Sequence, residues 1–306
     1  MPSSLPWFSR PPHSLAVLPV DGIAEVAAAR VVDALRAALA RRGRAVLAPS
    51  AGRTPRPTYA LLRAAHRSSL DWSRVVCVQM DEYEGVGDRD PRGFAAELRR
   101  ELVEPLGIGR FQRFHDGEGE LRVPLDAYER AVRGMGGIDC AVHGVGRNGH
   151  VAFNEPGDMR AEATRRVRLA RSTRVANGVL FTRGVTLGLD VLAEAREALV
   201  LMTGAAKRDA AAAVLFRAGG RDNPAAAIRR CGRVSVLLDP EAAPGLLLGH
   251  GEPATPAGGP PPAIVLPSRR AEPPAGPALD EAPPPPPLAP HGAASEGALD
   301  PGGRGP

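Results

Sequence analysis

Short apolar runs that alternate with amphipathic stretches constrain the fold of this chain more than any other feature. The apolar runs are 15–20, 45–48, 75–79, 139–143, 198–203 and 234–238. Stretches with helical periodicity are 24–41, 58–66, 92–104, 124–134, 187–195 and 206–217. Strands that alternate with helices in this way predict an α/β fold: a doubly wound, mostly parallel sheet with helices on both faces.

Composition divides the chain into three parts. Residues 1–13 are rich in Pro and Ser, which predicts a flexible N-terminus, and residues 14–250 carry the alternating pattern of one domain. Residues 251–306 are dominated by Pro, Gly and Ala and hold too few apolar side chains to offset the entropy of ordering them. We therefore expect a disordered tail with polyproline character there.

Charge and cysteine content narrow the class of protein. The formal net charge is +5, from 39 basic and 34 acidic residues, but no basic block with interleaved aromatic residues accompanies it, so no nucleic-acid partner is expected. No apolar run approaches the ~18 residues of a membrane span, and no signal peptide is evident. Cys77, Cys140 and Cys231 form no CxxC pair, which predicts buried thiols, no metal site and a cytoplasmic protein.

Two motifs at strand ends have the chemistry of an anion site. The segment SAGRTP, residues 50–55, joins an apolar run to a helix, and its small residues allow a close backbone approach to an anion. Lys207, the one lysine among 39 basic residues, lies at another such junction. Ligands bind beyond the carboxyl ends of strands in doubly wound sheets, so the two motifs together indicate a phosphate site.

Asp81 and Glu82 are adjacent carboxylates that follow a buried strand. Neighbours in an extended segment point to opposite sides, so one of the two is expected to face the ligand. A carboxylate there suits proton abstraction next to a carbonyl, while an acidic residue that caps a helix is an equally good interpretation.

The segment GVGRNG, residues 144–149, formally matches a dinucleotide-binding fingerprint. That motif requires a helix to follow and an acidic residue about 20 positions later. Here HVAFNEPG follows, with a basic stretch beyond it, so we reject the dinucleotide interpretation. The loop instead brings together Asn148, His150 and Glu155, and polar partners of this kind can orient a histidine for acid–base chemistry.

These motifs resemble those of the glucosamine-6-phosphate deaminase family. VHGVGRNGHVAFNEPG (142–157) is similar to the family signature, VQMDEY (78–83) to a second catalytic stretch, and SAGRTP to its phosphate loop. Residues 203–207 resemble the segment of its phosphate lysine. The related 6-phosphogluconolactonases share Gly-His but lack Phe-Asn-Glu-Pro. The resemblance spans roughly residues 15–240, and the four motifs occur in the same order as in the family.

The resemblance implies an enzyme, assigned to the hydrolase class, that acts on a phosphorylated amino sugar without a metal or redox cofactor. It implies that His150 opens the sugar ring, that Asn148 and Glu155 orient its imidazole, and that Asp81 moves a proton from C2 to C1. The residues implied to hold the phosphate or line the sugar site are Ser50, Gly52, Arg53, Thr54, Glu82, Gly144 and Lys207. Self-association into a homo-oligomer stays open.

Two departures from the family pattern affect the site. Position 148 is Asn where some members carry Asp, so stabilisation of an imidazolium by charge falls to Glu155. Position 179 is Val where the family usually has a phosphate-binding Arg. The candidates to replace that arginine, or to form an allosteric site, are Arg165, Arg174 and Arg183.

Three functions are compatible with these motifs. The first is a deaminase that converts an amino-sugar 6-phosphate to fructose 6-phosphate and ammonia. A lactone hydrolase is the enzymatic alternative. A non-catalytic sugar-phosphate-binding module is the third, and Val179 favours it, whereas the presence of Asp81, His150 and Glu155 favours an enzyme.

Overall fold

The computed structural model describes residues 12–158, 161–217, 219–220 and 222–247. The predicted tail lies outside these residues, as does almost all of the predicted flexible N-terminus. Within them, ten strands form two sheets. The strands are β1 (Ser14–Val17), β2 (Ala45–Pro49), β3 (Val75–Val78), β4 (Asp81–Tyr83), β5 (Arg110–Gln112), β6 (Cys140–Gly144), β7 (Arg165–Arg168), β8 (Arg183–Thr186), β9 (Glu197–Met202) and β10 (Arg233–Leu238).

Nine α-helices connect the strands in the described part of the chain. They are α1 (Val20–Arg42), α2 (Arg56–Ala65), α3 (Phe94–Leu98), α4 (Glu104–Leu106), α5 (Leu125–Gly134), α6 (Arg171–Asn177), α7 (Leu189–Ala193), α8 (Arg208–Phe216) and α9 (Pro224–Ala227). A π-helical turn, Arg99–Val103, joins α3 to α4. Gly43 closes α1 in the left-handed conformation (φ 74°), and its N–H donates to Leu39 O, as expected of a C-cap glycine.

The larger sheet has seven strands in the order β1-β10-β9-β6-β2-β3-β5, and every pairing in it is parallel. Alternate residues of one strand belong to different cores: Ala45 and Leu47 pack with α1 and α2, whereas Val46 and Ala48 pack with α5 and α8. Because both faces are covered by helices, the predicted doubly wound α/β fold is confirmed.

The chain reverses its direction of travel across the sheet between β2 and β6. From β2 it proceeds outward through β3 to β5, and from β6 it proceeds the other way through β9 to β10. The loops after β2 and β6 therefore leave the sheet toward opposite faces and open a crevice between them. The segments SAGRTP and GVGRNG are those two loops.

The second sheet is antiparallel, has three strands in the order β4-β8-β7, and was not predicted from the sequence. Its first strand carries Asp81, which lies opposite Thr186 of β8. These strands have only three or four residues, and β4 begins shortly after the apolar run of β3. Periodicity in the sequence therefore could not separate them from their surroundings. The sheet matters because it fixes the position of the Asp81 carboxylate.

Other sequence predictions can be compared directly. Each predicted helix and each strand of the large sheet that was predicted is present, with ends that differ by a few residues. Cys77, Cys140 and Cys231 are buried free thiols, as predicted. No helix in the described residues combines the length and the apolar character needed to cross a bilayer.

His143, in the middle of β6, is a buried polar residue that no prediction included. Its side chain is 0% exposed, and neither ring nitrogen finds a hydrogen-bond partner among the described residues. Burial lowers the pKa of His143 to about 4. A neutral imidazole is tolerated there, whereas an imidazolium is strongly disfavoured.

We expect His143 to make folding stability depend on pH. An unfolded His takes up a proton near pH 6.5, but the buried ring does so only near pH 4, so stability is full above pH 6.5 and falls as the pH drops toward 4. Between pH 7 and pH 5 the loss is about 2 kcal/mol. Urea unfolding at both pH values should show a smaller pH effect in His143→Leu. The partly exposed His66, as His66→Leu, is the control, and an equal pH effect in His143→Leu and the unaltered protein would contradict the expectation.

Candidate active site

The crevice between β2 and β6 is closed at its base by hydrogen bonds from Ser50. Ser50 N donates to Val142 O at 2.9 Å, and Gly144 N donates to Ser50 Oγ at 2.9 Å. The hydroxyl hydrogen of Ser50 is therefore free to be donated to a ligand. Ser50 and Gly144 thus lie together where the sequence placed the phosphate and sugar sites.

The loop after Ser50 contains a glycine with positive φ. Gly52 has φ +108°, a conformation that disfavours any residue with a side chain, and a Cβ there would meet open space. The side chain of Arg53 is exposed, with no hydrogen bond or ion pair to the described residues, and Thr54 is half-buried. The N–H of Gly52 is not vacant, because it donates to Glu97 Oε1 at 2.9 Å.

Three cationic side chains converge on this crevice. Lys207 follows β9, and its Nζ donates to Val145 O in the loop after β6. The pKa of Lys207 is lowered to about 8, first by burial, then by the charge of Arg147 and then by that of Arg53. These residues follow the neighbouring strands β9, β6 and β2. Such a cluster of like charges is favourable only when an anion binds among them.

Arg147 is the member of this cluster that sequence reasoning missed. It lies within the GVGRNG loop, it is exposed, and no hydrogen bond or ion pair to the described residues engages its guanidinium. The signal that could have identified it was its place inside a loop whose Gly144 was already assigned to the sugar site.

The amide of Asn148 fixes the imidazole of His150. Asn148 Nδ2 donates to Glu155 Oε2 at 2.6 Å, and Asn148 Oδ1 lies 2.7 Å from His150 Nδ1. Thr173 Oγ1, on α6, donates to the other oxygen of Glu155. Asn148, His150 and Glu155, predicted together from one loop, therefore form a single network.

This network determines which nitrogen of His150 carries the proton. An ionised carboxylate only accepts hydrogen bonds, so Glu155 requires the NH₂ group of Asn148 and turns its carbonyl oxygen toward His150. That oxygen in turn requires a proton on Nδ1, which leaves a lone pair on Nε2. The pKa of His150 is lowered, mainly by burial, with Glu155 opposing and Lys207 adding to the shift. The ring is thus a neutral base at physiological pH.

Gly146 is required by the position of the His150 ring. A Cβ on Gly146 would lie 2.2 Å from His150 Cε1 and Nδ1, so the loop can close around the ring only if residue 146 is glycine. Gly146 N also donates to His150 O at 2.9 Å. Gly146 therefore serves the placement of His150, and no helix follows within 145–158, so this loop lacks the helix that a dinucleotide fingerprint requires.

Asp81 is a buried carboxylate with properties of a base. It is 8% exposed, and no described residue donates a hydrogen bond to it. Its pKa is raised well above the usual range, first by burial, then by Glu82 and then by Glu97. A carboxylate with a raised pKa holds an abstracted proton more readily than an ordinary one.

The small sheet holds the strand of Asp81 against the loop of His150. Phe153 N, three residues after His150, donates to Thr186 Oγ1 at 3.2 Å, and Thr186 lies opposite Asp81 in the β4–β8 pair. The rings of Phe153 and Tyr83 are also in contact, with centroids 5.5 Å apart. Asp81 and His150 therefore come from neighbouring segments of the structure.

The sequence matches the family described as glucosamine-6-phosphate isomerases/6-phosphogluconolactonase over residues 20–236. This match covers well over half of the chain and includes every motif of the crevice. The chain belongs to this isomerase/lactonase family. The resemblance noted from the sequence is thereby confirmed.

Individual relatives agree with the family assignment. The chain is 34% identical over 230 residues to the glucosamine-6-phosphate deaminase of Streptomyces avermitilis, which covers 71% of this chain and 88% of the relative. A solved structure of a monomeric glucosamine-6-phosphate deaminase is 26% identical, with a TM-score of 0.66, and covers 74% of this chain and 96% of the other. The 6-phosphogluconolactonase of Trypanosoma brucei, 21% identical with a TM-score of 0.63, covers 76% and 98% and shares the fold.

Glu82 does not have the role that the sequence predicted for it. We expected it to line the sugar site, but its side chain is 1% exposed and its oxygens accept from Gln79 Nε2 and from the N–H groups of Tyr83, Phe94 and Ala95. It therefore caps the N-terminus of α3. Two roles were considered for Asp81 and Glu82, a base and a helix cap. Glu82 is the helix cap, whereas Asp81 remains the candidate base.

Arg165, expected as a phosphate or allosteric ligand, instead has a structural role. It is 7% exposed and donates to Asp158, to Asn154 Oδ1 at 2.8 Å and to two backbone carbonyls. Arg174 is half-buried, and its Nε has no partner among the described residues. Arg183 is exposed on β8, and its side chain makes no hydrogen bond or ion pair with the described residues. Only the last two stay candidates.

Val179 contributes to packing instead of charge. It packs against a buried apolar cluster that consists of Tyr83, Val86, Phe153 and Leu169. Asn177 Nδ2 strengthens this region by donating to Tyr83 Oη at 2.9 Å. A cation for the phosphate must therefore come from another element.

Among the described residues, no group of three or more His, Cys, Asp or Glu side chains is arranged to hold a metal ion.

We expect phosphate binding to weaken as the pH rises above about 8, because Lys207 loses its charge there. Calorimetric titration with inorganic phosphate between pH 7.5 and pH 10, where phosphate is a dianion, measures the effect. Lys207→Arg, which stays charged over this range, should show a much smaller decline. Constant affinity up to pH 10 in the unaltered protein contradicts a role for the Lys207 charge.

Proposed function

We propose that the protein converts glucosamine 6-phosphate and water to fructose 6-phosphate and ammonia. The observation that carries this proposal is the combination of an oriented neutral imidazole, a cationic crevice and a buried carboxylate to which none of the described residues donates a hydrogen bond. An imidazole alone would serve a lactonase. The second base, Asp81, suits an isomerisation, which must move a proton between adjacent carbons.

The reaction begins with ring opening. His150 Nε2 takes the proton of the O1 hydroxyl, the C1–O5 bond breaks, and the proton is delivered to O5. Asn148 holds the imidazole of His150 in place for this transfer. Glu155, which is hydrogen-bonded to Asn148, offsets the charge of the transient imidazolium. The product is the open-chain aldehyde.

Isomerisation then moves a hydrogen from C2 to C1. Asp81 removes the C2 proton while O1 takes up a proton, which gives an enolamine, and Asp81 then delivers its proton to C1, which becomes a hydroxymethyl group. The proton gained by O1 is balanced by one lost from the amino nitrogen, so that C2 becomes an imine. Water adds to the C=N bond and ammonia leaves. The resemblance implied the hydrolase class, but the matching family is one of isomerases and lactonases and the relative is a deaminase, so that class assignment is corrected. In the proposed reaction the isomerisation comes first, and water enters only at the imine step.

The phosphate end of the substrate is assigned to Lys207, Arg53 and Arg147, with Ser50 and Thr54 as hydroxyl donors. Arg147 supplies in this proposal the charge that Val179 does not. The three cations come from different strand ends, so a phosphate group among them is also positioned relative to His150 and Asp81.

The residue roles are tested by release of ammonia from glucosamine 6-phosphate. His150→Ala and Asp81→Asn should each lower kcat by roughly 10²–10⁴-fold, because each removes a proton-transfer group. Binding of inorganic phosphate should change little. The matched controls are His66→Ala and Asp33→Asn, which alter a histidine and an aspartate elsewhere. Unchanged turnover in both active-site variants refutes the roles.

The same preparation separates the alternatives. Hydrolysis of 6-phosphogluconolactone without ammonia release would indicate a lactonase. Binding of sugar phosphates with turnover of neither substrate would indicate a binding module. Either result overturns the deaminase proposal.

Arg147→Ala should raise KM about tenfold or more with a smaller effect on kcat, because one charge-assisted hydrogen bond to phosphate is lost. Arg174→Ala and Arg183→Ala provide the comparison, since both were candidates for the same role. A large rise in KM for either of these two, with none for Arg147→Ala, would reassign the missing charge.

A further inference from the structure

Glu97 places a negative charge against the loop that is assigned to phosphate. Its Oε1 accepts from Gly52 N at 2.9 Å and from Arg56 Nε at 3.1 Å. The side chain is 14% exposed. The N–H of a loop glycine with positive φ, which is well suited to an incoming anion, is therefore already hydrogen-bonded to an internal carboxylate.

The position of Glu97 is fixed by Glu82, the residue that follows Asp81 in the sequence. Glu82 accepts from Phe94 N at 3.0 Å and Ala95 N at 2.7 Å and so anchors the N-terminus of α3. Glu97 lies in the first turn of that helix, and its N–H donates to Gly93 O. A helix fixed at its first turn holds the Glu97 side chain toward the β2 loop instead of leaving it free in solvent.

The charge of Glu97 opposes the charges gathered for the ligand. Arg53 and Lys207 attract an anion to the crevice, whereas Glu97 repels it and competes for the Gly52 N–H. Glu97 also contributes to the raised pKa of Asp81, after burial and Glu82. One carboxylate therefore acts on both the binding end and the reacting end of the site.

We propose that Glu97 sets the affinity of the phosphate site by occupying the Gly52 N–H in the empty protein and releasing it when a phosphate group binds. The ligand class is a phosphate monoester, whose two charges engage the cations strongly enough to displace a carboxylate. The inference rests on the proposed function in that it takes the β2 loop as the phosphate loop. It adds an opposing residue, which makes substrate binding weaker and release faster.

Glu97→Gln tests the proposal with little change of shape, because the amide oxygen still accepts from Gly52 N while the charge is removed. Titration calorimetry with inorganic phosphate at pH 7.5 should show binding roughly 5- to 20-fold tighter than in the unaltered protein, as expected for loss of one like charge a few ångströms from the ligand. Glu97→Ala should also bind more tightly, and it guards against a special effect of the amide.

Glu101→Gln is the matched control. Glu101 lies four residues further along the same helical segment, is similarly shielded at 17% exposed, and pairs with Arg63 instead of the loop. Its removal should change phosphate affinity by less than about twofold, because the charge is more distant and screened. Thermal melting of each variant verifies that it is folded.

The pH profile of turnover provides a second measurement that a purely structural role would not alter. Asp81 is faced by the charges of Glu82 and Glu97, so removal of the Glu97 charge lowers the pKa of Asp81. Asp81 then stays ionised to lower pH, and the acid limb of kcat/KM moves to lower pH in Glu97→Gln but not in Glu101→Gln.

The outcomes distinguish this inference from the proposed function, because phosphate binding requires no turnover. Tighter phosphate binding by Glu97→Gln in a protein that releases no ammonia supports the inference and refutes the deaminase proposal. Equal or weaker binding in Glu97→Gln, or an equal gain in Glu101→Gln, overturns the inference whatever the activity. Absence of phosphate binding in all of the proteins overturns both.

Discussion

The parallel pairing of β2 with β6 is the constraint on which the rest of the structure depends. The chain runs outward in opposite directions from these two strands, so the loops that follow them diverge. The crevice between the loops is a direct result of this topology. The hydrogen bond between Gly144 and Ser50 ties the two loops at its base. The SAGRTP loop and the loop of His150 are consequently brought to one place by the topology of the sheet.

Two groups of like charges shape the electrostatics around the crevice. Lys207, Arg147 and Arg53 gather positive charge, which is unfavourable in the empty protein and favourable around an anion. Asp81 is buried near the carboxylates of Glu82 and Glu97, which raises its pKa. The imidazole of His150 is neutral, and a short hydrogen-bonded network, instead of a net charge, orients it.

Several parts of the site could be predicted because they are local in sequence. Asn148, His150 and Glu155 lie within eight residues, so their network follows from one loop, and the loop in turn requires Gly146. Lys207 was conspicuous as the only lysine. Arg147 was overlooked because an exposed arginine in an arginine-rich chain resembles any other surface residue until the neighbouring strands are placed.

The sequence by itself determined the fold class, the main strands and helices and the family, because apolar periodicity and contiguous motifs are properties of neighbouring residues. Tertiary structure decided the small antiparallel sheet, the capping role of Glu82 and the contact of Glu97 with Gly52. Those features join segments distant in sequence, and neither short strands nor one acidic residue on a helix carries a pattern that specifies its partner. Their energies arise only when the packed sheet brings the segments into contact.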